Sequence, residues 1–236
     1  MTAFLIVLAS ALLHAAQAPA TCPPEARQPS PAQVEEGTRN ARDRGFLWRA
    51  SKDGRTSYLY GTVHVGKMDW MFPGPEALRA AQASDVIALE LDILDPDIVG
   101  RLQAGMAPRT DRALPEALRA RLRAQLKAAC LPEPLLDQTA PEMVATTLTV
   151  MAGRAEGLDP AYAVDAVYAS MARALKKPVS SLETPELQLK LLLGGTEAET
   201  RAAIESALEE LESGKATPQL ARLARVWSDG RLGEME

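Results

Sequence analysis

The stretch 58–92, YLYGTVHVGKMDWMFPGPEALRAAQASDVIALELD, constrains the fold of this chain more than any other. Its opening residues alternate in the manner of a strand, 75–84 begins on proline and carries helix formers, and 85–90 is an apolar run that stops at a glutamate. A strand, a short helix and a second strand in that order predict a parallel crossover. Both strand ends would then lie at one edge of the sheet, where open α/β sheets place their sites. His64 and Glu90 fall at those ends, and outside the N-terminal leader His64 is the only histidine of the chain.

The strand alternation puts Tyr58, Tyr60, Thr62 and His64 on one face, with Leu59, Gly61 and Val63 on the other. Gly61 inside the pattern suggests close approach of another backbone or of a ligand. Upstream, 46–50 is a second strand, and Asp53-Gly54 is a tight-turn signal, so 46–63 reads as a hairpin. The run 85–90 is apolar on both faces until Glu90, which is the pattern of a buried strand.

Beyond Asp95-Pro96 the chain is almost entirely helical. Leu118, Leu122 and Leu126 keep one face of a helix between Pro115 and Pro132, and 141–153 is the next. Asp159-Pro160 caps a third, with Val164, Val167, Tyr168, Met171 and Leu175 as its core stripe. A short strand at 178–182 and a helix capped by Thr184-Pro185 follow. Thr196 to Glu199 forms a capping box ahead of Ile204, Leu208 and Leu211. Thr217-Pro218 opens the last helix, with Leu220, Leu223 and Trp227 inward. The expected architecture is a helix-rich α/β domain: a small mixed sheet with an N-terminal hairpin, parallel crossover strands, helices on both faces and a helical insertion at 113–157.

The first 20 residues carry no charge, have an apolar run of signal-peptide length and offer A-x-A cleavage patterns at 16–18 and 18–20. They are too short and too rich in small residues for a spanning helix. The stretch reads as a cleaved secretory leader, leaving a periplasmic or secreted protein with no stable membrane span. Residues 21–45 are then a Pro-rich linker and a polar surface helix over 31–44, opened by a capping box at Ser30 and Gln33. Export would place Cys22 and Cys130 in an oxidising compartment. One disulfide and two unpaired thiols both remain open on sequence.

Composition removes one class of partner. A net charge of -5 offers no basic stripe for nucleic acid, and 4% aromatic content offers no base-stacking platform. The chemistry therefore rests on side chains near the sheet edge. Imidazole with carboxylate suits zinc, manganese or cobalt, although one histidine and one glutamate leave a divalent ion under-coordinated. Glu183 ends the strand at 178–182 as Glu90 ends its own. Asp165 and Gln188 lie on neighbouring helices, where exposure is the ordinary reading.

Four motifs, YLYGTVHVG, SDVIALELD, VDAVYASMARALKKPVSSLETPELQL and LARVWSDG, together resemble the TraB/GumN family, which includes the TIKI-type metalloproteases. The resemblance runs in order from Phe46 to Gly230. It implies an α/β fold shared with erythromycin-esterase-like and ChaN-like proteins and, in the TIKI branch, divalent-metal-dependent peptide hydrolysis. The family's G-x-x-H motif falls on Gly61 and His64, with Thr62 between, its strand-end glutamate on Glu90, and its LET motif on Leu182, Glu183 and Thr184. In that reading His64 ligates the ion, Glu90 ligates it or acts as general base on a bound water, and Glu183 assists, with Asp165 and Gln188 in support.

Peptide-cleaving members carry a second G-x-x-H on a late strand, and this sequence has no histidine after His64. The resemblance therefore also implies a weaker site and an unpaired sheet edge or apolar groove prone to self-association. The alternative is a noncatalytic exported protein that binds a peptide or metal in the same cleft.

Overall fold

A computed structural model describes residues 22–109 and 114–235. The proposed leader lies outside the described residues. Helix α1 (Pro31–Arg39) opens on the Ser30/Gln33 capping box, buries no residue and stops at Asn40, short of the expected 44. Strands β1 (Phe46–Lys52) and β2 (Arg55–Gly61) pair antiparallel. Their turn has both central residues at positive φ, Asp53 at 50° and Gly54 at 73°, which is the hairpin geometry that Asp-Gly favours.

Helix α2 (Pro75–Ala83) and strand β3 (Ile87–Leu89) follow, then α3 (Pro96–Gly105), α4 (Glu116–Ala128), α5 (Leu135–Gln138) and α6 (Pro141–Met151). The chain continues through α7 (Val164–Ala174), β4 (Val179–Ser181), α8 (Pro185–Leu192), α9 (Glu197–Glu212) and α10 (Ala216–Ser228). The Asp159 carboxylate caps a short 3-10 turn at Pro160–Tyr162 rather than α7 itself.

The α/β, helix-rich class stands, but the strands pair differently from the expected single sheet. β1 and β2 form one two-stranded sheet, and β3 and β4 form another, parallel, with Ile87 opposite Val179. The parallel crossover therefore joins β3 to β4 through the helices between them, not β2 to β3. β2 stops at Gly61 because the next carbonyls and amides are taken elsewhere: the Val63 carbonyl accepts from Val164 N–H, and Gly66 bonds to Asp159. Ile87 and Leu89 are buried whereas Val86 and Ala88 are exposed, so β3 is covered on one face only.

Two apolar cores form among the described residues. One joins Trp70, Ile87, Leu89, Val164, Tyr168 and Trp227 between the hairpin, α2, β3, α7 and α10. The other gathers the Leu118, Leu122 and Leu126 stripe of α4 with Val144, Leu148, Ile204 and Leu208. The expected helical insertion thus shares its core with α9 and is not self-contained. Leu223, expected inward, is 41% exposed, while its neighbours Ala224, Val226 and Trp227 are buried.

Cys22 and Cys130 are joined by a disulfide, their Cα atoms 5.8 Å apart across 108 residues of sequence. Closing a loop of that length removes about 4–5 kcal/mol of chain entropy from the unfolded state. The tail is also tied down by Tyr162, whose hydroxyl accepts from Arg27 N–H at 2.8 Å and donates to its carbonyl at 3.0 Å.

Trp227 closes the first core: its indole N–H donates to the Gly61 carbonyl at 2.8 Å, and its ring packs at a tilt against Trp70 with centroids 5.1 Å apart. Gly45, at φ 70°, lies so close that a Cβ there would stand 2.7 Å from the indole. Trp227→Ala should cost about 3–5 kcal/mol, read from urea unfolding. Trp227→Phe should cost less, because it keeps most of the ring volume and loses the indole hydrogen bond, worth about 1 kcal/mol.

Candidate functional site

The loop after β2 is fixed by backbone contacts on both sides of His64. Val164 N–H donates to the Val63 carbonyl at 3.0 Å, and Gly66 and Asp159 exchange backbone bonds of 3.1 and 2.8 Å. A Cβ on Gly66 would stand 2.4 Å from the Tyr162 carbonyl oxygen, so only glycine fits this approach. Gly61 has no such constraint, since the nearest atom to a Cβ there is 3.6 Å away. The close backbone approach expected at Gly61 belongs to Gly66, and the Gly61 carbonyl instead receives Trp227.

Asp159 is itself held by Arg154 at 3.2 Å, both side chains being nearly buried, and its carboxylate caps Ala161 N–H at 2.9 Å. Because Val164 begins α7, this clamp sets His64 opposite the first turn of that helix, where Asp165 sits. His64 Nδ1 lies 3.3 Å from Asp165 Oδ2, and Nε2 lies 3.6 Å from Glu90 Oε2. The imidazole stands between two carboxylates.

The geometry assigns the tautomer. Asp165 accepts, so Nδ1 carries the proton and the Nε2 lone pair of neutral imidazole faces Glu90. A carboxylate behind a histidine in this way fixes the ring and raises its basicity, as in the outer shells of metal sites. Asp165 lies in the first turn of α7, where the helix dipole favours an anion. Its other oxygen, Oδ1, is buried without a partner among the described residues. The Asp165 hydrogen bond raises the His64 pKa above 6.5; partial burial opposes this, and the charges of Asp165 and Glu90 reinforce it.

Glu90 follows β3, and Glu183 arrives beside it: the Leu89 and Glu90 carbonyls accept from Leu182 and Glu183 N–H at 2.8 and 3.0 Å. The Glu183 side chain is half-buried and makes no ion pair with His64. Thr62, in the His64 loop, and Gln188, on α8, are also half-buried and are not hydrogen-bonded into the pair. Asp92 serves the fold, since Arg173 Nη2 reaches both its oxygens at 2.9 Å and Leu94 N–H caps it at 3.2 Å.

Among the described residues, no group of three or more His, Cys, Asp or Glu side chains could hold a metal ion. The His64–Glu90 pair fits as two donors. Bonds of about 2 Å from each side span more than the observed 3.6 Å, so one ion can touch both. Further ligands would have to come from outside this pair.

A helix-rich α/β domain with a histidine on a clamped loop after a strand, set between two carboxylates, defines the class. The chain belongs to the TraB/PrgY/gumN family, whose model matches residues 46–236. It is also similar to the protein named metalloprotease TIKI1 from Xenopus tropicalis, 30% identical over 132 residues. That alignment takes in 54% of this chain and 23% of TIKI1, so the chain spans about a quarter of that relative's length. No solved structure gives a significant match.

In the metal-free protein, His64 should titrate above 6.5, read from its imidazole C–H resonance by NMR. Asp165→Asn should move that value down, because it removes the largest cause of the shift. Since the folded value is raised, the pair stabilises the fold below the unfolded value, and the contribution is lost as pH rises through the folded one. Gly66→Ala should cost stability and broaden His64, as the Tyr162 carbonyl has to move.

Proposed function

We propose that this protein is an exported, divalent-metal-dependent hydrolase acting on peptides, with His64 and Glu90 as its centre. The observation that carries the reading is the placement of His64 between Asp165 and Glu90, on a loop clamped by backbone bonds. Family membership and the similarity to TIKI1 support it. The disulfide and the uncharged apolar leader support export, because disulfides persist in oxidising compartments. No described helix is long and apolar enough to cross a membrane.

In this reading Asp165 holds the Nδ1 proton and so keeps the Nε2 lone pair available as a donor. Glu90 is the second donor or, exposed at the sheet end, the general base that accepts a proton from an attacking water. Glu183 places another carboxylate at the same edge. A bound zinc, manganese or cobalt ion would supply Lewis-acid polarisation of the scissile carbonyl. The chain's own part is to hold the two donors in place, His64 through the Val63 and Gly66 contacts and Glu90 through the backbone bonds from Leu182 and Glu183.

One observation favours a second reading, a noncatalytic protein that binds a peptide or an ion: the donor set formed by described residues stops at two. Calorimetric titration with zinc and manganese, run beside a peptide-cleavage screen, separates the two. His64→Ala should abolish measurable ion binding while leaving the thermal midpoint nearly unchanged, because the side chain is 66% exposed. Asp165→Asn should weaken ion affinity about 10- to 100-fold. Ion affinity should also fall as pH drops through the folded His64 value, because protons compete for Nε2. Ion or peptide binding without cleavage selects the second reading, and equal ion binding by His64→Ala and wild type removes both.

A further inference from the structure

A second concave surface lies away from His64. The hairpin and α2 line an open groove of about 650 Å³, together with Ser228 to Gly230 at the C-terminal end of α10. That volume falls within the usual range of small-ligand sites. Strand register explains the hairpin wall: Leu47 is opposite Tyr60 and Arg49 is opposite Tyr58, so these four side chains share one face. Ala77 and Ala80 of α2 form the facing wall, and their small size leaves the space open. Neither His64, Glu90, Asp165 nor Glu183 lines it.

The groove is lined by three arginines and three carboxylates, and nearly all of them are already engaged. Asp43 accepts from the N–H groups of Glu76 and Ala77, capping α2 at 3.0 and 3.1 Å. Glu76 pairs with Arg79, and Asp229 pairs with Arg231 at 3.3 Å. Arg44, its side chain only 7% exposed, pairs with Asp69 at 2.6 Å, and its Nε is buried without a partner among the described residues. Arg49 alone has neither a hydrogen bond nor an ion pair among the described residues. The unspent polarity of the groove is cationic, and it lies beside the Tyr58 ring.

We infer that this groove binds a carboxylate-bearing ligand with an apolar or aromatic body, the carboxylate on Arg49 and the body between Tyr58, Leu47 and the two alanines. Arg49 presents a planar fork of donors that matches a carboxylate in two parallel hydrogen bonds. Tyr58 offers a flat apolar face directly across the strand pair.

The test is an NMR titration of the disulfide-bonded protein with 3-phenylpropionate, 3-phenylpropionamide and acetate. The aromatic acid should give saturable shifts confined to 47–60 and 77–80. The neutral amide, which lacks the charge-assisted pair, and acetate, which lacks the apolar contact, should each bind at least about threefold more weakly than the acid, the pair being exposed and partly screened. Arg49→Gln should reduce affinity for the acid to that of the amide. Arg49 is exposed and unpaired, so the variant should keep the wild-type thermal midpoint. Equal binding of acid and amide, unchanged binding by Arg49→Gln, or shifts that map outside the groove would each overturn the assignment. An acetylated aspartyl-phenylalanine amide run alongside identifies the source: tighter binding than phenylpropionate assigns an acidic peptide segment, and weaker binding assigns a free organic acid.

Discussion

Trp227 touches both ends of the hairpin at once, and the arrangement of the first core follows from that contact. Its backbone carbonyl accepts from Gly45 N–H, just before β1, at 3.0 Å, and its indole donates to Gly61, the last residue of β2. A two-stranded hairpin is marginal alone in water. Here its base is bolted to α10 by two hydrogen bonds and by the largest apolar side chain available, 2% exposed. Tyr60 adds to this by packing on Tyr168 at 5.2 Å, so the hairpin is tied to α7 as well.

With the hairpin base held, the loop that follows has little freedom. Val63 and Gly66 bond to the segment that leads into α7, so the chain on either side of His64 is fixed by backbone, and the imidazole is fixed by Asp165. Precision at the site comes from this backbone clamp more than from side-chain packing, since His64 and Glu90 are both more than half exposed. Two parallel three-residue strands then suffice to bring Glu90 and Glu183 to one edge.

Much of this was legible in the sequence, and the limits have physical causes. Caps and stripes are local, so the Ser30 and Thr196 capping boxes, the Asp-Gly hairpin and the buried faces of α4 and α9 could be read from a few neighbouring residues. His64 and Glu90 were legible as strand-end residues of suitable chemistry, and they do meet. The expected reason, pairing of their two strands, does not hold: strand pairing is a long-range choice, and β3 takes β4. From its own pattern Asp165 read as an ordinary exposed helix residue, and only the family resemblance set it in support of the site, because nothing local shows that a loop 101 residues earlier faces it. Gly66 and Arg154 escaped notice for the same reason, and Asp159 read only as a helix cap. The one available signal was a second glycine two residues after the histidine in GTVHVG.

The Cys22–Cys130 bond makes a closed covalent circuit of the first part of the molecule. The hairpin, His64, β3 and Glu90 all lie inside that circuit, while α7 with Asp165 lies outside it. A single backbone cut anywhere between the two cysteines would therefore leave both pieces joined, with His64 and Glu90 still on one connected molecule. Asp165 shares that protection only for cuts inside the circuit: after a cut between Cys130 and Asp165, what holds the imidazole to this partner is the Val63 and Gly66 contacts, which are noncovalent. The two halves of the pair of carboxylates around His64 thus have unequal insurance against a nick, one guarded by a sulfur bridge and the other, for a cut after Cys130, only by the clamp.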